Sequence, residues 1–279
     1  MISSTFFFLF SQLGVGMMLT LLFISPRSIG NSFFKFASLT AAILLGVTLG
    51  FNFLFPSPLR QSQLPVVLLF ISAGLVIIYN RVVDTGKFAA AFALLIGATA
   101  FGIVSVATDS LAFNGLRLVR GPALVVGDYF QWEGRMLLLN HLAATALLGS
   151  VMLTMVFGHW YLVIPRLSID PLKRLTKVLI AAITIRIVTM AASFAVLHFK
   201  QAVPFSAVLR ELLIQQGIFF WPRVIFGVLA PIVLAGMIWN TVKIHHTQAA
   251  TGLLYLAVVA LLFGEFFSKF LLFAVRIPI

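Results

Sequence analysis

Ionisable side chains occur inside long apolar segments of this 279-residue sequence. Glu265 and Lys269 are four residues apart in one such segment, so they share one face of a helix and can form an ion pair. Arg186 and Arg223 lie in two earlier apolar segments, and either could supply a second cation for the Glu265 carboxylate. A charged side chain at the centre of a bilayer costs about 2.5 to 3.5 kcal/mol, so such residues face the interior of a helix bundle and often mark a functional path.

Asp109 and His141 are the residues of these segments that suit proton transfer. A carboxylate and an imidazole both accept and release protons, and His141 lies where a solvated histidine is not expected. Gln12, Asn52 and Tyr129 add amide and phenol groups that can hydrogen-bond a polar ring. The alternative is structural, with ion pairs that hold helices together and a histidine that packs through a hydrogen bond.

The composition identifies the surroundings of these residues. Hydrophobic residues make up 61% of the sequence and charged residues only 9%, which a soluble surface cannot accommodate. The apolar runs are continuous and not alternating, which predicts helices, because backbone polar groups in lipid must be paired internally. We therefore predict an all-α, polytopic integral membrane protein that forms a single transmembrane domain over residues 1–279.

Helix-stopping residues divide the sequence into eight predicted transmembrane spans of roughly 20 residues each. Pro56-Ser57-Pro58 and Asp170-Pro171 are two such breaks. The predicted spans cover residues 5–25, 35–55, 64–80, 88–108, 136–162, 176–198, 216–241 and 249–273. An even number of spans places both termini on one side of the membrane, here called the outer side.

The alternating directions of the predicted helices gather the polar residues of the apolar segments in one half of the bilayer. Arg186 lies near the middle of the sixth span, and most of the others fall in the outer half. That outer set is Gln12, Asn52, Asp109, Asn140, His141, His198, Arg223, Glu265 and Lys269. The sequence therefore predicts a single polar pocket on the outer side.

Charge and cysteine content restrict the partners and cofactors. The formal net charge is +12, but the basic residues are spread over the loops, which indicates membrane orientation and lipid headgroups and not nucleic acid. The sequence has no cysteine, so it cannot itself carry an iron–sulfur cluster, a thiolate metal site or a covalent c-type haem. We predict no metal site. No phosphate loop, metal-binding helix or nucleophilic triad is recognisable, so we do not expect catalysis on a soluble substrate.

Four short motifs, taken with the span number, resemble the eight-span membrane-anchor subunits of the NrfD, polysulfide reductase and DMSO reductase group. Phe10-Ser11-Gln12-Leu13-Gly14-Val15-Gly16 is similar to the opening Phe-x-Gln-x-x-x-Gly of that family. Pro56-Ser57-Pro58-Leu59-Arg60 resembles its Gly-Ser-Pro-x-Arg, and Trp221-Pro222-Arg223-Val224-Ile225 resembles its Trp-Arg-Ile start. Gly264-Glu265-Phe266-Phe267-Ser268-Lys269 is similar to Gly-Glu-x-x-x-Arg.

The resemblance implies a subunit without redox centres of its own that reacts with menaquinone or ubiquinone and exchanges electrons with an extrinsic iron–sulfur or multihaem cytochrome partner. It also implies location in the inner (plasma) membrane, with both termini on the periplasmic side. The DMSO reductase type has a histidine before the proline turn, where this chain has Phe53, Leu54 and Phe55. We therefore expect the proton-accepting role at His141 or Asp109.

The remaining polar residues receive supporting roles in this hypothesis. Gln12, Asn52 or Tyr129 would orient the ring, while the four charged residues, Arg186, Arg223, Glu265 and Lys269, would set the local electric field.

Two alternatives remain open at this stage. A b-type cytochrome would use His141 with His198 as haem ligands, and His159 with His245 or His246 for a second haem. A solute carrier or ion channel would line its path with Arg186 and Glu265, and broken helices or inverted repeats would support that alternative.

Overall fold

The computed structural model describes residues 2–56, 62–114, 130–164, 167–199 and 205–275. This part of the chain is helical and contains no strand. Eight helical segments within it are long and apolar enough to cross a membrane, which confirms the predicted fold class. Including their polar ends, these spans are Ile2–Leu21, Asn31–Leu54, Leu64–Val82, Phe88–Asn114, Phe130–Val163, Asp170–Phe199, Gly217–Lys243 and Thr247–Val275.

The sixth span begins earlier than the sequence predicts. We expected a helix over 176–198 and a break at Asp170-Pro171, but the helix starts at Asp170. The Asp170 backbone N–H donates to Ser168 Oγ at 3.2 Å, and Pro171 occupies the first turn. Proline is well accommodated there because the first backbone N–H groups of a helix have no partner inside the helix. The pair starts this helix and does not interrupt it.

The eight spans form two four-helix rings. In the first ring, spans one to four pack in chain order and the fourth closes against the first; spans five to eight form the second ring in the same way. The first and fifth spans pack against each other and join the two rings. Within an 18-residue apolar stretch of each span, 83%, 67% and 61% of residues are buried in the first, fifth and eighth spans, against at most 39% in the others, so these three spans form the centre.

A close helix crossing fixes the contact between the two rings. Gly16 of the first span and Gly149 of the fifth span meet backbone to backbone, because a Cβ added to Gly16 would lie 2.9 Å from Gly149 Cα. The ring of Phe8, two turns before Gly16, lies 4.6 Å from the ring of His141, two turns before Gly149, at an interplanar angle of 48°. The first and fifth spans therefore run parallel with a fixed register.

The seventh span departs from regular α-helix near its outer end. Its first segment, Gly217–Val224, contains Pro222, and the following residues Ile225–Leu229 form a π-helical segment before α-helix resumes over Ala230–Lys243. Proline inside a helix removes a backbone hydrogen bond. A π segment has i→i+5 hydrogen bonds, which change the direction of the side chains relative to regular α-helix. Arg223 lies between the proline and the π segment.

Candidate functional site

Glu265 lies at the centre of a buried group of charges, which we call the ionic cluster: Arg186, Arg223, Glu265 and Lys269. Arg186 donates to Glu265 through Nε to Oε1 at 2.8 Å and through Nη2 to Oε2 at 3.3 Å. Arg223 Nη2 lies 3.3 Å from Oε1, and Lys269 Nζ lies 3.5 Å from Oε2. All four side chains are at least 97% buried. The expected Glu265–Lys269 pair is present, and both arginines join it.

Polar neighbours extend the ionic cluster within the second ring. Arg186 Nη1 donates to Asn140 Oδ1, and Arg186 Nη2 also donates to Ser268 Oγ at 3.2 Å. The Asn140 amide donates to Ser193 Oγ at 2.7 Å. With Arg223 on the seventh span, each of the four helices of this ring contributes at least one polar side chain.

Arg223 differs from Arg186 in the hydrogen bonds of its guanidinium. Among the residues that the structure describes, Nε, Nη1 and Nη2 of Arg223 have no hydrogen-bond partner, although the side chain is fully buried and Nη2 is at ion-pair distance from Glu265. A Cβ added to Gly227, one turn further along the helix, would lie 2.9 Å from Arg223 Cζ. The guanidinium therefore occupies space that exists because residue 227 is a glycine.

His141 follows Asn140 in the chain but faces the first ring. Its Nδ1 lies 2.7 Å from Ser110 Oγ, and the Ser110 hydroxyl also contacts the Val106 carbonyl oxygen at 2.6 Å. Ser110 has one hydroxyl proton, and a carbonyl oxygen can only accept. The proton therefore goes to Val106, and Ser110 Oγ accepts from His141 Nδ1–H. In the neutral form of the ring, Nε2 then carries the free lone pair. This nitrogen is buried and has no hydrogen-bond partner within the described ranges.

The ionic cluster and His141 belong to one polar region. Asn140, which accepts from Arg186, directly precedes His141 in the fifth span, so the two groups meet at this point of the helix. Gln12 lies on the first span, one turn after Phe8, whose ring contacts that of His141. Gln12 is fully buried, and neither its amide nitrogen nor its amide oxygen has a hydrogen-bond partner in the described part of the chain.

The other predicted site residues are distributed as follows. Asp109 is buried on the fourth span and directly precedes Ser110, the partner of His141. Asn52 is partly exposed near the outer end of the second span, next to Phe51, whose ring lies 5.3 Å from that of Phe6. Tyr129 lies outside the described residues.

The histidines proposed as haem ligands lie in different surroundings. His198 is exposed at the end of the sixth span, whereas His141 is buried and bonded to Ser110. His159 Nδ1 lies 3.2 Å from the Tyr255 hydroxyl. His245 has a positive φ of 63° in the turn between the seventh and eighth spans.

Sequence reasoning missed several of the polar contacts. The sequence places Asn140 in the predicted outer pocket, because an amide within an apolar span needs a partner, but we assigned it no specific role. Ser110, Ser193 and Ser268 give no such signal, because small hydroxyl residues are common in membrane helices and usually bond their own backbone. Only the packed helices reveal that these serines contact His141, Asn140 and Arg186.

Comparison with known proteins found no matching family model, no matching curated protein and no matching solved structure.

Proposed function

We propose that this protein is a quinone-interacting membrane subunit of a respiratory oxidoreductase. Oxidation of a bound quinol releases two electrons and two protons, and reduction of the quinone consumes them. The electrons are exchanged with an extrinsic iron–sulfur or multihaem cytochrome subunit, since the chain has no cysteine. The protein lies in the inner (plasma) membrane, with both termini on the outer, periplasmic side, and the partner docks there.

The observation that carries this proposal is the hydrogen bonding of the two ring nitrogens of His141. Its ring is oriented through Nδ1 by Ser110, which leaves the buried Nε2 as a proton acceptor. A hydrogen bond on one ring nitrogen fixes the orientation of a histidine and leaves the other nitrogen to accept a proton. This arrangement suits a general base. A hydroxyl group of a quinol ring is a suitable proton donor to that nitrogen.

The surrounding groups fit a polar ring attached to an apolar tail. A quinone ring has oxygens at two opposite positions, and each needs a hydrogen-bond donor. Gln12 and Arg223 supply buried donors that make no hydrogen bond to the described part of the chain. Hydrophobic side chains form most of the surrounding helix surfaces and suit the tail.

We assign to Asp109 the transfer of the second proton released by the quinol. It is buried in the same helix as Ser110 and lies towards the outer end of the fourth span. A carboxylate there can pass protons from the interior to the outer side. The ionic cluster sets the field around the ring, and Gln12 orients it, with Asn52 and Tyr129 as further candidates for that role.

The test is quinol turnover in the native complex, purified with its associated subunits, for His141→Gln and Asp109→Asn. His198→Gln is the matched control for the histidine, because His198 is exposed near the outer end of the sixth span. Asp84→Asn is the control for the carboxylate, because Asp84 is exposed and pairs with the exposed Lys35 at 2.5 Å. Loss of a general base lowers the rate by about 10²- to 10⁴-fold.

Turnover within about twofold of wild type in His141→Gln, with the complex intact, would refute the assignment. The control variants also separate the alternatives. A haem ligated by His141 and His198 would give a visible absorption spectrum that His198→Gln abolishes. Quinone extracted from the purified complex and identified by mass spectrometry supports the proposal independently of turnover.

The geometry of the seventh span gives less support to the alternative function, a solute carrier. Pairs of discontinuous helices form the binding sites of many carriers. Gly217–Lys243 contains a π segment, but it stays helical through that segment and resumes regular α-helix at Ala230.

A further inference from the structure

The ionic cluster contains more positive than negative charge. Three cations contact the single carboxylate of Glu265, so two positive charges within the cluster are not neutralised by it. Among the residues that the structure describes, Asp109 on the fourth span is the other buried carboxylate, and counting it still leaves one positive charge. Burying a charge without a counter-charge is strongly unfavourable. The cluster is therefore suited to an anion.

Arg223 is the cation with donors available for that anion. Glu265 accepts from Arg186 with both of its oxygens, and Arg186 also donates to Asn140 and Ser268. By contrast, the three guanidinium nitrogens of Arg223 donate no hydrogen bond to any residue that the structure describes. A guanidinium presents five N–H donors in a planar fork, which matches the geometry of anionic oxygen groups.

The helix backbone holds the Arg223 guanidinium in a defined position. The guanidinium lies over Gly227, and Gly227 in turn packs against Gly264 of the eighth span, where an added Cβ would lie 2.7 Å from the Gly227 nitrogen. Pro222 precedes Arg223, and the π segment Ile225–Leu229 begins two residues after it. π segments inside α-helices occur frequently at functional sites.

We propose that Arg223 binds a negatively charged oxygen of the ligand, and that the ligand class is a lipophilic ring with an ionised hydroxyl group. This inference rests on the proposed quinone function and specifies the charge of the bound form. Uptake of a ring proton at His141 Nε2 leaves a negative charge on the ring oxygen, and the guanidinium can accommodate it. Arg186 and Lys269 favour the same charge through the field.

The test compares two probes that share one ring system. 2-Hydroxy-1,4-naphthoquinone is a vinylogous carboxylic acid, so at neutral pH it is present as a strongly coloured anion, whereas 2-methoxy-1,4-naphthoquinone cannot ionise. We expect the purified protein to bind the hydroxy probe about ten- to hundredfold more tightly than the methoxy probe, because a charge-assisted hydrogen bond to a buried cation is lost in the latter. The bound hydroxy probe should keep the absorption spectrum of the anion at an acidic pH at which the free probe is protonated.

Arg223→Gln should remove this preference, lowering affinity for the hydroxy probe about ten- to hundredfold and leaving the methoxy probe within about threefold. Arg210→Gln is the matched control, because Arg210 is exposed and precedes the same span. Gly227→Ala is a second variant, since the added methyl group displaces the guanidinium while retaining its charge. The wild-type comparison of the two probes decides the question even if the Arg223 variant fails to fold.

The outcomes separate this inference from the proposed function. Equal binding of the two probes to wild type overturns the anion site and leaves the quinone function standing, whereas binding of neither probe counts against both. An acidic lipid headgroup offers the same anionic oxygen, so phosphatidylglycerol is titrated as a competitor beside phosphatidylcholine. Displacement of the hydroxy probe by phosphatidylglycerol alone, lost in Arg223→Gln, would assign the site to a lipid and overturn the ring-anion proposal.

Discussion

Glu265→Gln is the substitution that most directly tests the ionic cluster. Glutamine keeps the shape and volume of the side chain but removes the charge that holds Arg186, Arg223 and Lys269. Removing one partner of a buried ion pair costs about 3 to 5 kcal/mol, because the other charge stays buried without compensation. Typical proteins have only about 5 to 15 kcal/mol of stability, so we expect a severely destabilised protein.

Lys269→Met should behave in the opposite way, although Lys269 belongs to the same cluster. Its contact with Glu265 is the longest of the described ion pairs in the cluster at 3.5 Å, and its removal reduces an excess of positive charge. Replacing a buried ion by a residue of similar volume is often neutral or stabilising, so we expect a change within about 1 kcal/mol. In the double variant with Glu265→Gln, the loss of one uncompensated cation should recover about 1 to 3 kcal/mol.

The measurement is reversible unfolding of the purified protein in mixed micelles, with the mole fraction of denaturing detergent increased and the helix signal followed by circular dichroism. Asp84→Asn is the control, because its pair with Lys35 is exposed and such pairs contribute about 1 kcal/mol or less. A loss below about 1 kcal/mol in Glu265→Gln, or equal losses in Glu265→Gln and Lys269→Met, would refute the charge argument.

Two further predictions concern the contact between the rings and the orientation of the histidine. Gly149→Ala should destabilise the protein by about 1 to 3 kcal/mol, because its methyl group would overlap the backbone of Gly16, while Gly46→Ala, with open space around it, should change stability by less than about 0.5 kcal/mol in the same unfolding assay. Ser110→Ala should release the ring of His141 from a single tautomer, which nitrogen chemical shifts of the labelled imidazole report; unchanged shifts would contradict the assigned proton positions.

The sequence predicts the membrane architecture well because its signal is local. Eight apolar runs predict eight spans, and the spacing of Glu265 and Lys269 predicts their contact, since residues four apart share a helix face. The sequence places Arg223 in the outer half of the bilayer and Arg186 near the middle of its span, but only the packing of the second ring brings both to one carboxylate.

Adjacent residues show most clearly why the rest of the site could not be predicted. Asn140 and His141 are neighbours in the chain, yet Asn140 contacts Arg186 inside the second ring and His141 contacts Ser110 of the first. Consecutive residues of a helix point about 100° apart, so their partners depend on which helices lie on each side. The π segment after Arg223 likewise has no residue signature that distinguishes it from ordinary helix.

The position of Glu265 on the eighth span has a consequence for biogenesis. A ribosome synthesises Arg186 and Arg223 before the carboxylate that neutralises them, with 79 residues separating Arg186 from Glu265. Until the eighth span leaves the translocon, two arginines must be tolerated in the nascent chain by snorkelling towards headgroups or by delayed lateral release. Insertion of the eighth span is then the step that locks the second ring, and chains stalled before it present unneutralised arginines that membrane quality control can detect.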